Sequence, residues 1–328
     1  MKKDKRFKTT IGGQALIEGI MMRGPEKDAV VVRGKEGLTV EVSDRKVRSK
    51  RSVLAWPFIR GVVNFVDSMS VGTKALMRSA DLSPEEDQEN VKKSRIDAWL
   101  DRKMQDKKFQ NTLMGIATAL GLLMSIGLFF LLPGLIMSFF TNYIPSVIVR
   151  NLLEGAIRIS ILVGYLYLAS RQKDVKRLFA YHGAEHKTIA CYEAGLELTV
   201  ENVRTQKRFH PRCGTSLLFV IMFLSILVFS VGEHLLLAAF PGLPLLGGVL
   251  YNLIRIGFKL LLLPLVLAIT YEINRWVGRH DNWFTAILAA PGLWIQRIST
   301  QEPDDGMIEV GITAVQAVLP EQEGADQW

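Results

Sequence analysis

The stretch TLMGIATALGLLMSIGLFFLLPGLIMSFF, residues 112–140, decides the fold class of this chain. It lies within residues 109–149, which contain no Lys, Arg, Asp or Glu. A helix that crosses a bilayer needs about 20 consecutive, mostly apolar residues, and this run is longer than that. It therefore predicts a first membrane-spanning helix.

Three more apolar segments follow. The second begins after Pro145 and ends near Ser170, and the third is GTSLLFVIMFLSILVFSVG, residues 214–232. A fourth covers residues 254–276. The sequence therefore predicts an α-helical integral membrane protein with four transmembrane helices plus a small α+β cytosolic portion.

The overall composition agrees with this assignment but does not prove it. The chain has 328 residues, a net charge of +8, 49% hydrophobic residues, 22% charged residues and 2 cysteines. These values exclude a disordered, collagen-like or disulfide-rich chain. The position of the charges, rather than their average, separates a membrane protein from a large soluble enzyme.

Basic residues in the loops predict the orientation in the membrane. The 171–213 loop carries nine Lys and Arg residues, whereas the 141–149 and 235–254 connections carry none. Because cytoplasmic loops are rich in Lys and Arg, both termini and the 171–213 loop are expected on the cytoplasmic side of the plasma membrane. The charged N-terminus lacks the apolar core of a cleaved signal peptide.

The basic cytosolic face predicts the kind of partner. We expect anionic membrane lipids, and membrane-protein partners that contact the cytosolic regions, rather than nucleic acid. No motif that reads a nucleic-acid groove occurs in the sequence.

The predicted organisation alternates cytosolic and membrane segments. The segments are a cytosolic β-rich region (1–52), an amphipathic or interfacial helix (53–80), a charged helix or linker (81–110), transmembrane helices 1 and 2 (111–170), a cytosolic His/Cys-rich loop (171–213), transmembrane helices 3 and 4 (214–276), and interfacial and cytosolic C-terminal helices (277–328).

The N-terminal region predicts strands. VVVRG and LTVEVSD have β-branched, alternating residues around the turn-like GKEG. The preceding stretch, GGQALIEGIMMRGP, is rich in glycine and carries Gln14, Glu18 and Arg23. It is typical of one strand with glycine-permitted bends, and the alternative is a binding loop.

The C-terminal region predicts two further elements. NWFTAILAAPGLWIQ is uncharged, too short to cross a membrane and expected to break at Pro291, so an interfacial position is predicted. In the tail, Asp304 and Asp305 suit a helix N-terminus, and Ile308, Val315 and neighbouring apolar residues form a stripe.

Residues 182–213 hold the groups that could perform chemistry. They read HGAEH at 182–186, Cys191, and HPRC at 210–213. On a helix, His182 and His186 lie one turn apart on one face and can bind one metal ion, with Glu185 beside them as a base. The pattern H-x-x-E-H is the inverted zincin signature.

Three interpretations of this cluster remain open. The first is a catalytic site with His182 and His186 as ligands of zinc or another divalent metal and Glu185 as base. The second is a closed structural zinc site formed by His182, His186, His210 and Cys213. In the third, no metal is bound, and the histidines cap helices and pair with carboxylates.

Charged residues inside the apolar segments are further candidates, because a charge at membrane depth usually faces a bundle interior or a cavity. Arg158 and Lys259 are the strongest intramembrane candidates. Glu154 and Glu233 are expected near helix ends, within reach of the headgroups. Glu272 is the acidic residue expected as a possible third metal ligand.

Four blocks of the sequence resemble a known family. IGGQALIEGIMMRGP, AYHGAEHKTIACYEAGLELTVENVR, HPRCGTS and PGLWIQRISTQEPDD are similar to the YqhQ family of bacterial membrane proteins. The resemblance implies a multi-pass plasma-membrane protein with its signature blocks on the cytosolic side. The family is described as predicted metal-dependent enzymes, which implies roles for His182, Glu185, His186, His210 and Cys213.

The functional hypothesis is a metal-dependent hydrolase at the cytosolic membrane surface, with Glu185 activating water. The alternative is a non-enzymatic membrane scaffold, chaperone or adaptor whose loop folds around a structural zinc ion. A transporter ranks third, because the spans show no repeat and only one candidate helix break, at Pro133.

Overall fold

The computed structural model describes residues 7–45, 52–83, 103, 107–140, 143–280, 282–322 and 324–327. The chain divides into two compact units. The first contains Met1–Pro84, Val163–Val228 and Leu261–Trp328, and the second contains Glu85–Leu162 and Phe229–Leu260. Most of the linker predicted at 81–110 lies outside the described residues.

The strands come first along the chain, and the helices follow them. The strands are β1 (Gly12–Leu16), β2 (Gly19–Arg23), β3 (Lys27–Gly34) and β4 (Gly37–Asp44), and the helices are α1 (Ile59–Leu82), α2 (Lys107–Ile126), α3 (Leu132–Phe140), α4 (Val147–Ala169), α5 (Lys173–Glu193), α6 (Val200–Arg204), α7 (Gly214–Ala239), α8 (Gly248–Arg279), α9 (Trp283–Ser299) and α10 (Asp305–Val318).

The N-terminal strands form one antiparallel sheet in the order β1-β2-β3-β4. The strands predicted from VVVRG and LTVEVSD are confirmed as parts of β3 and β4. The prediction of one bent strand before them is wrong, since this stretch forms the β1–β2 hairpin. Glu18 in its tight turn has φ +49°, a left-handed conformation that non-glycine residues rarely adopt.

The sheet packs on both faces because its residues alternate in direction. Ile20, Met22 and Val31 belong to a core shared with α5 and α10. Leu16 and Met21 face the other way and pack with Ala75 of α1. The sheet therefore lies between α1 and the α5–α10 layer, and this arrangement places β1 next to α5.

The two C-terminal helices differ in how well they were predicted. Helix α10 begins where its acidic residues predicted, with the Asp304 side chain accepting from the Met307 N–H at 2.8 Å. The break expected at Pro291 is wrong, since α9 continues through it. A proline removes one helical hydrogen bond, and the capping box of Asn282 and Thr285 and the buried last turns keep the helix intact.

Among the described residues, four helical segments are long and apolar enough to cross a membrane, as predicted. They are Gly115–Phe140, Val147–Ala169, Leu218–Ala239 and Gly248–Arg279. These segments indicate a membrane-embedded protein. The fourth is longer than predicted, because residues 248–253 and 277–279 are also helical.

The first segment contains a π-helical turn, Gly127–Leu131, between α2 and α3. Such turns leave backbone carbonyls without their usual helical partners. The Phe129 carbonyl accepts a hydrogen bond from Arg158 Nε at 2.8 Å. This contact accommodates a cation among apolar helices of the second unit.

Five buried charges form a network in the second unit. Lys259 Nζ lies 2.7 Å from both carboxylate oxygens of Glu154, and Arg158 Nη2 lies 3.1 Å from one of them. Arg255 binds Glu233 through Nε at 2.7 Å and Nη2 at 3.1 Å. The positions expected for Glu154 and Glu233 are therefore wrong: both are buried counter-ions, because Lys259, Arg158 and Arg255 require acidic partners in apolar surroundings.

Replacing Glu154 with Gln should destabilise the protein strongly, because Lys259 and Arg158 lose their shared counter-ion. Removing one partner of a buried ion pair costs about 3–5 kcal/mol. Thermal unfolding in detergent micelles measures the change. The matched control is Glu41→Gln, which removes an exposed carboxylate beside Arg78 and should leave the midpoint unchanged. Equal midpoints for both variants would contradict a stabilising role for Glu154.

Candidate functional site

Helix α5 carries three of the predicted site residues on adjacent turns. Glu185 and His186 are buried, and the His182 and His186 rings lie 4.4 Å apart between centroids. The chain approaches this part of α5 very closely, since a Cβ on Gly183 would lie 2.0 Å from the Gln301 carbonyl oxygen. The glycine of HGAEH therefore allows the segment after α9 to reach His182.

Backbone carbonyls orient both histidines. His182 Nδ1 lies 2.8 Å from the Ser299 carbonyl, and His186 Nδ1 lies 2.6 Å from the Arg208 carbonyl. Because a carbonyl only accepts, each Nδ1 carries a proton and donates it. In its neutral form each ring then presents an unprotonated Nε2, the arrangement found in metal-binding histidines.

Cys213 completes a three-residue cluster. Its Sγ lies 3.2 Å from His182 Nε2. Ligand atoms of His182, His186 and Cys213 all lie within 4.8 Å of one another. His186 Nε2 is buried and has no hydrogen-bond partner among the described residues. Three N and S donors thus converge around an unsatisfied ring nitrogen.

The electrostatics of the metal-free cluster favour a charged pair. Burial alone would raise the pKa of Cys213, but the positive charges of His182 and His186 lower it well below its usual value. Burial alone would lower the pKa of His182, but Cys213 and Glu185 raise it to about 9. Cys213 also directly precedes α7, and a helix N-terminus favours a thiolate.

Glu185 lies beside this cluster on the side of the sheet. The Gly13 N–H of β1 donates to Glu185 Oε1 at 3.0 Å. A Cβ on Gly13 would lie 2.5 Å from the Met21 carbonyl oxygen and 3.1 Å from Glu185 Cδ, so only glycine fits. Burial raises the pKa of Glu185, which makes it a stronger base than an exposed carboxylate.

His210 is near the cluster but has different partners. Its Nε2 lies 3.3 Å from Glu193 Oε2, and Arg212 also binds Glu193. The Gln296 side chain holds the backbone at this point, accepting from His210 N and donating to His210 O at 2.8 Å each. The structure thus brings together three of the four residues predicted for a closed zinc site. The fourth, His210, contacts the Glu193 carboxylate instead.

Glu272 is not brought to the cluster. It binds Arg60, with Arg60 Nε 2.7 Å from Glu272 Oε1 and a second, shorter contact to the other oxygen. The expectation of Glu272 as a third ligand is therefore not met, because a bidentate arginine already satisfies its carboxylate. The third donor close to His182 and His186 is Cys213. Cys191 is buried apart from the site with Val203 and Ile308.

The three N-terminal candidates have separate environments. Glu18 accepts from Arg177 Nε at 2.6 Å and from the Tyr181 hydroxyl at 3.1 Å, which holds the hairpin turn on α5. These hydrogen bonds, with the charge of Arg177, lower the pKa of Glu18. Arg23 binds Asp28 and Asp67. Gln14 and Arg23 line the cavity described next, whereas Glu18 does not.

A cavity of about 630 Å³ opens onto the cluster. Strand β1 and helix α5 form much of its wall, and His182, Glu185, His186 and Cys213 line it. Pockets that hold small molecules are typically about 300–1,000 Å³. The cavity is therefore large enough for a small molecule, and the histidine–cysteine cluster lies on its wall.

Comparison with known proteins identifies the family. Residues 56–321 match the family described as "Protein of unknown function (DUF1385)". The chain belongs to the DUF1385 family. This DUF1385 protein is 32% identical over 319 residues to "Uncharacterized protein YqhQ" of Bacillus subtilis (strain 168), covering 94% of this chain and 92% of the relative. No solved structure matches the chain significantly. The resemblance to the YqhQ family is confirmed.

Several site residues were not found from the sequence. Glu193 and Gln296 position His210, and Gly13 donates to Glu185. Gln296 and Gly13 lie more than 80 residues from their partners along the chain, so no local spacing marks them. Glu193 lies on the same helix as HGAEH, seven residues after His186. Two helical turns separate these residues, so Glu193 could have been predicted to lie on the same face of α5.

Replacing Gln296 with Leu should lower the stability of the first unit. The substitution leaves the buried His210 N–H and carbonyl without their side-chain partners, and each such loss costs about 1–3 kcal/mol. Thermal unfolding of the detergent-purified protein measures the effect. Gln322→Leu, at an exposed glutamine, is the control and should match wild type. A wild-type midpoint for Gln296→Leu would show that the amide does not hold this segment.

Proposed function

We propose that this DUF1385 protein is a metal-dependent hydrolase, with His182, His186 and Cys213 as metal ligands and Glu185 as general base. The observation that carries the proposal is the orientation of the histidines: both Nδ1 atoms donate to backbone carbonyls, and the buried Nε2 of His186 faces the cluster without a partner. A buried polar atom without a partner is costly unless something binds it.

The donor set fits zinc best. Imidazole nitrogen and thiolate sulfur are both zinc ligands, and catalytic zinc sites have three protein ligands. When bound, zinc supplies Lewis-acid activation of a substrate and of water. The low pKa of Cys213 supports this fit, since a thiolate is the ligand form.

The residues of the chain supply the proton chemistry. The Glu185 carboxylate accepts the proton of the attacking water and returns it to the leaving group, so it is restored after each cycle. The Gly13 N–H holds one carboxylate oxygen, and burial raises the basicity of the group. The cavity beside Glu185 provides room for the substrate.

The position of His210 favours a catalytic site over a structural one. A structural zinc ion usually has four protein ligands, whereas a catalytic zinc ion has three and an open position. Three donors converge among the described residues, and the fourth predicted ligand binds Glu193 instead. This supports the hydrolase over the alternative of a scaffold or adaptor folded around zinc.

One observation favours a second candidate, a metal-independent cysteine hydrolase. Cys213 and His182 form a pair at 3.2 Å in which the thiolate and the imidazolium are both favoured. The thiolate would attack a carbonyl carbon, and His182 would donate its proton to the leaving group. Water would then release the acyl group from sulfur and restore the thiol–imidazole pair.

Metal content distinguishes the two candidates. Wild-type protein purified without chelators should contain about one zinc ion per chain by elemental analysis, because three ligands converge. His182→Ala and Cys213→Ala should lose most of it, whereas Glu185→Gln should retain it. Metal-free wild type whose Cys213 is stoichiometrically alkylated by iodoacetamide would contradict the metal site and support the cysteine hydrolase.

Cobalt substitution tests whether the site is open. The cobalt-loaded wild type should show a sulfur-to-cobalt charge-transfer band that Cys213→Ser lacks, because thiolate is a ligand. Added azide should change the visible cobalt spectrum if a coordination position is open. Glu185→Gln should behave in the same way, since Glu185 is not a ligand. A spectrum unaffected by azide would support the structural zinc site of a scaffold and overturn the hydrolase.

A further inference from the structure

The cavity beside the cluster carries an excess of positive charge. Three arginines line it, Arg23, Arg45 and Arg212, whereas Glu185 is the lone carboxylate among its lining residues in the described part of the chain. Arg212 is neutralised by Glu193, and Arg23 by Asp28 and Asp67. Arg45 is therefore the cation to consider as a ligand-binding group.

Arg45 has a hydrogen bond but no direct ion pair among the described residues. Its Nη1 donates to the Gly24 carbonyl at 2.8 Å. Asp28 and Asp67 act on it through their charge without forming an ion pair, and the residue keeps part of its surface accessible. A guanidinium held by one backbone carbonyl keeps other N–H donors free for a planar or tetrahedral anion.

Arg23 contributes further guanidinium N–H donors to the same wall of the cavity. Its Nη1 lies 3.4 Å from Ser68 Oγ of α1, and Ser68 also lines the cavity. Burial and the positive charge of Arg23 lower the pKa of Arg45, whereas the charges of Asp28 and Asp67 raise it. Two arginines and a hydroxyl on one wall suit a phosphate group, which accepts several charge-assisted hydrogen bonds.

Apolar residues also line the cavity, and one of them belongs to a candidate membrane segment. Leu218 lines the cavity and lies on α7, whose described residues Leu218–Ala239 are apolar enough to cross a membrane. The cavity therefore adjoins a helix that is expected to enter the bilayer.

Helix α1 supports this location. It contributes Ser68 to the cavity wall and leaves Phe65, Val66 and Met69 exposed nearby. A helix with one polar face and exposed apolar side chains is typical of the membrane interface. A ligand that reaches the cavity from the bilayer would meet cations on one side and apolar side chains on the other.

We propose that the cavity binds the phosphate headgroup of an anionic membrane lipid, with the phosphate on Arg45, Arg23 and Ser68 and the chains beside Leu218. The proposal rests on the proposed function in one respect: it names the substrate class of the hydrolase. A free phosphate ester shares the anionic chemistry, but it would make no use of the apolar side of the cavity.

Lipid binding to the full-length protein tests the proposal. The protein, purified in a neutral detergent, is titrated with short-chain phosphatidylglycerol, phosphatidylcholine of the same chain length, or inorganic phosphate, and binding is followed by native mass spectrometry. Phosphatidylglycerol should bind most tightly. Arg45→Gln should weaken its binding about tenfold or more, because a charge-assisted hydrogen bond is lost.

Control variants keep the result interpretable. Arg78→Gln removes an exposed arginine outside the cavity and should bind phosphatidylglycerol as wild type does. Arg45→Lys retains the charge but not the forked donors, so its binding of phosphatidylglycerol should be intermediate. If Arg45→Gln fails to fold, Arg45→Lys provides the test in its place. Equal binding of phosphatidylcholine, or of inorganic phosphate, would overturn the assignment to an anionic lipid.

The same titration separates this proposal from the hydrolase. It is carried out on zinc-loaded and chelator-treated protein. Phosphatidylglycerol binding that depends on Arg45 in a protein unable to hold zinc would support the lipid site and overturn the metal-dependent activity. Zinc-loaded protein that binds phosphatidylglycerol no better in wild type than in Arg45→Gln would overturn the lipid site and leave the metal centre in place.

Discussion

The Nδ1–H groups of His182 and His186 donate to the carbonyls of Ser299 and Arg208, and the rest of the candidate site depends on these two hydrogen bonds. They orient both rings at the cluster, and in the neutral form of each ring they leave Nε2 as the unprotonated nitrogen. The C-terminal segment can supply the Ser299 carbonyl because Gly183 allows close approach. Backbone packing therefore fixes the positions of the two carbonyls, and these carbonyls set the orientation of the histidine rings.

The buried ions of the second unit and the buried His186 of the first unit differ in their partners. In the second unit, Glu154 and Glu233 pair with Lys259, Arg158 and Arg255, so the buried ions have partners of opposite charge. In the first unit, His186 Nε2 is buried without a partner and faces an accessible cavity. Complete pairing favours a role in stability, whereas a convergent, unsatisfied donor set favours ligand binding.

Much of the fold could be predicted because its signals are local. The apolar segments, the β3–β4 hairpin and the N-terminus of α10 each depend on consecutive residues, and all three were predicted. The errors occurred where distant contacts decide. Pro291 did not break α9, and Glu154 and Glu233 are buried rather than at the headgroups, because distant cations and packing override local expectation.

For the candidate site, the sequence alone determined which residues can bind a metal, since the HGAEH spacing places His182, Glu185 and His186 on adjacent turns of one helix. Only the tertiary structure decided which residues join them. It placed the Cys213 thiol beside the His182 ring. It also paired His210 with Glu193, and Glu272 with Arg60. The physical reason is that helix periodicity acts over a few residues, whereas ligand sets, counter-ions and cavities depend on side chains that are far apart in the chain.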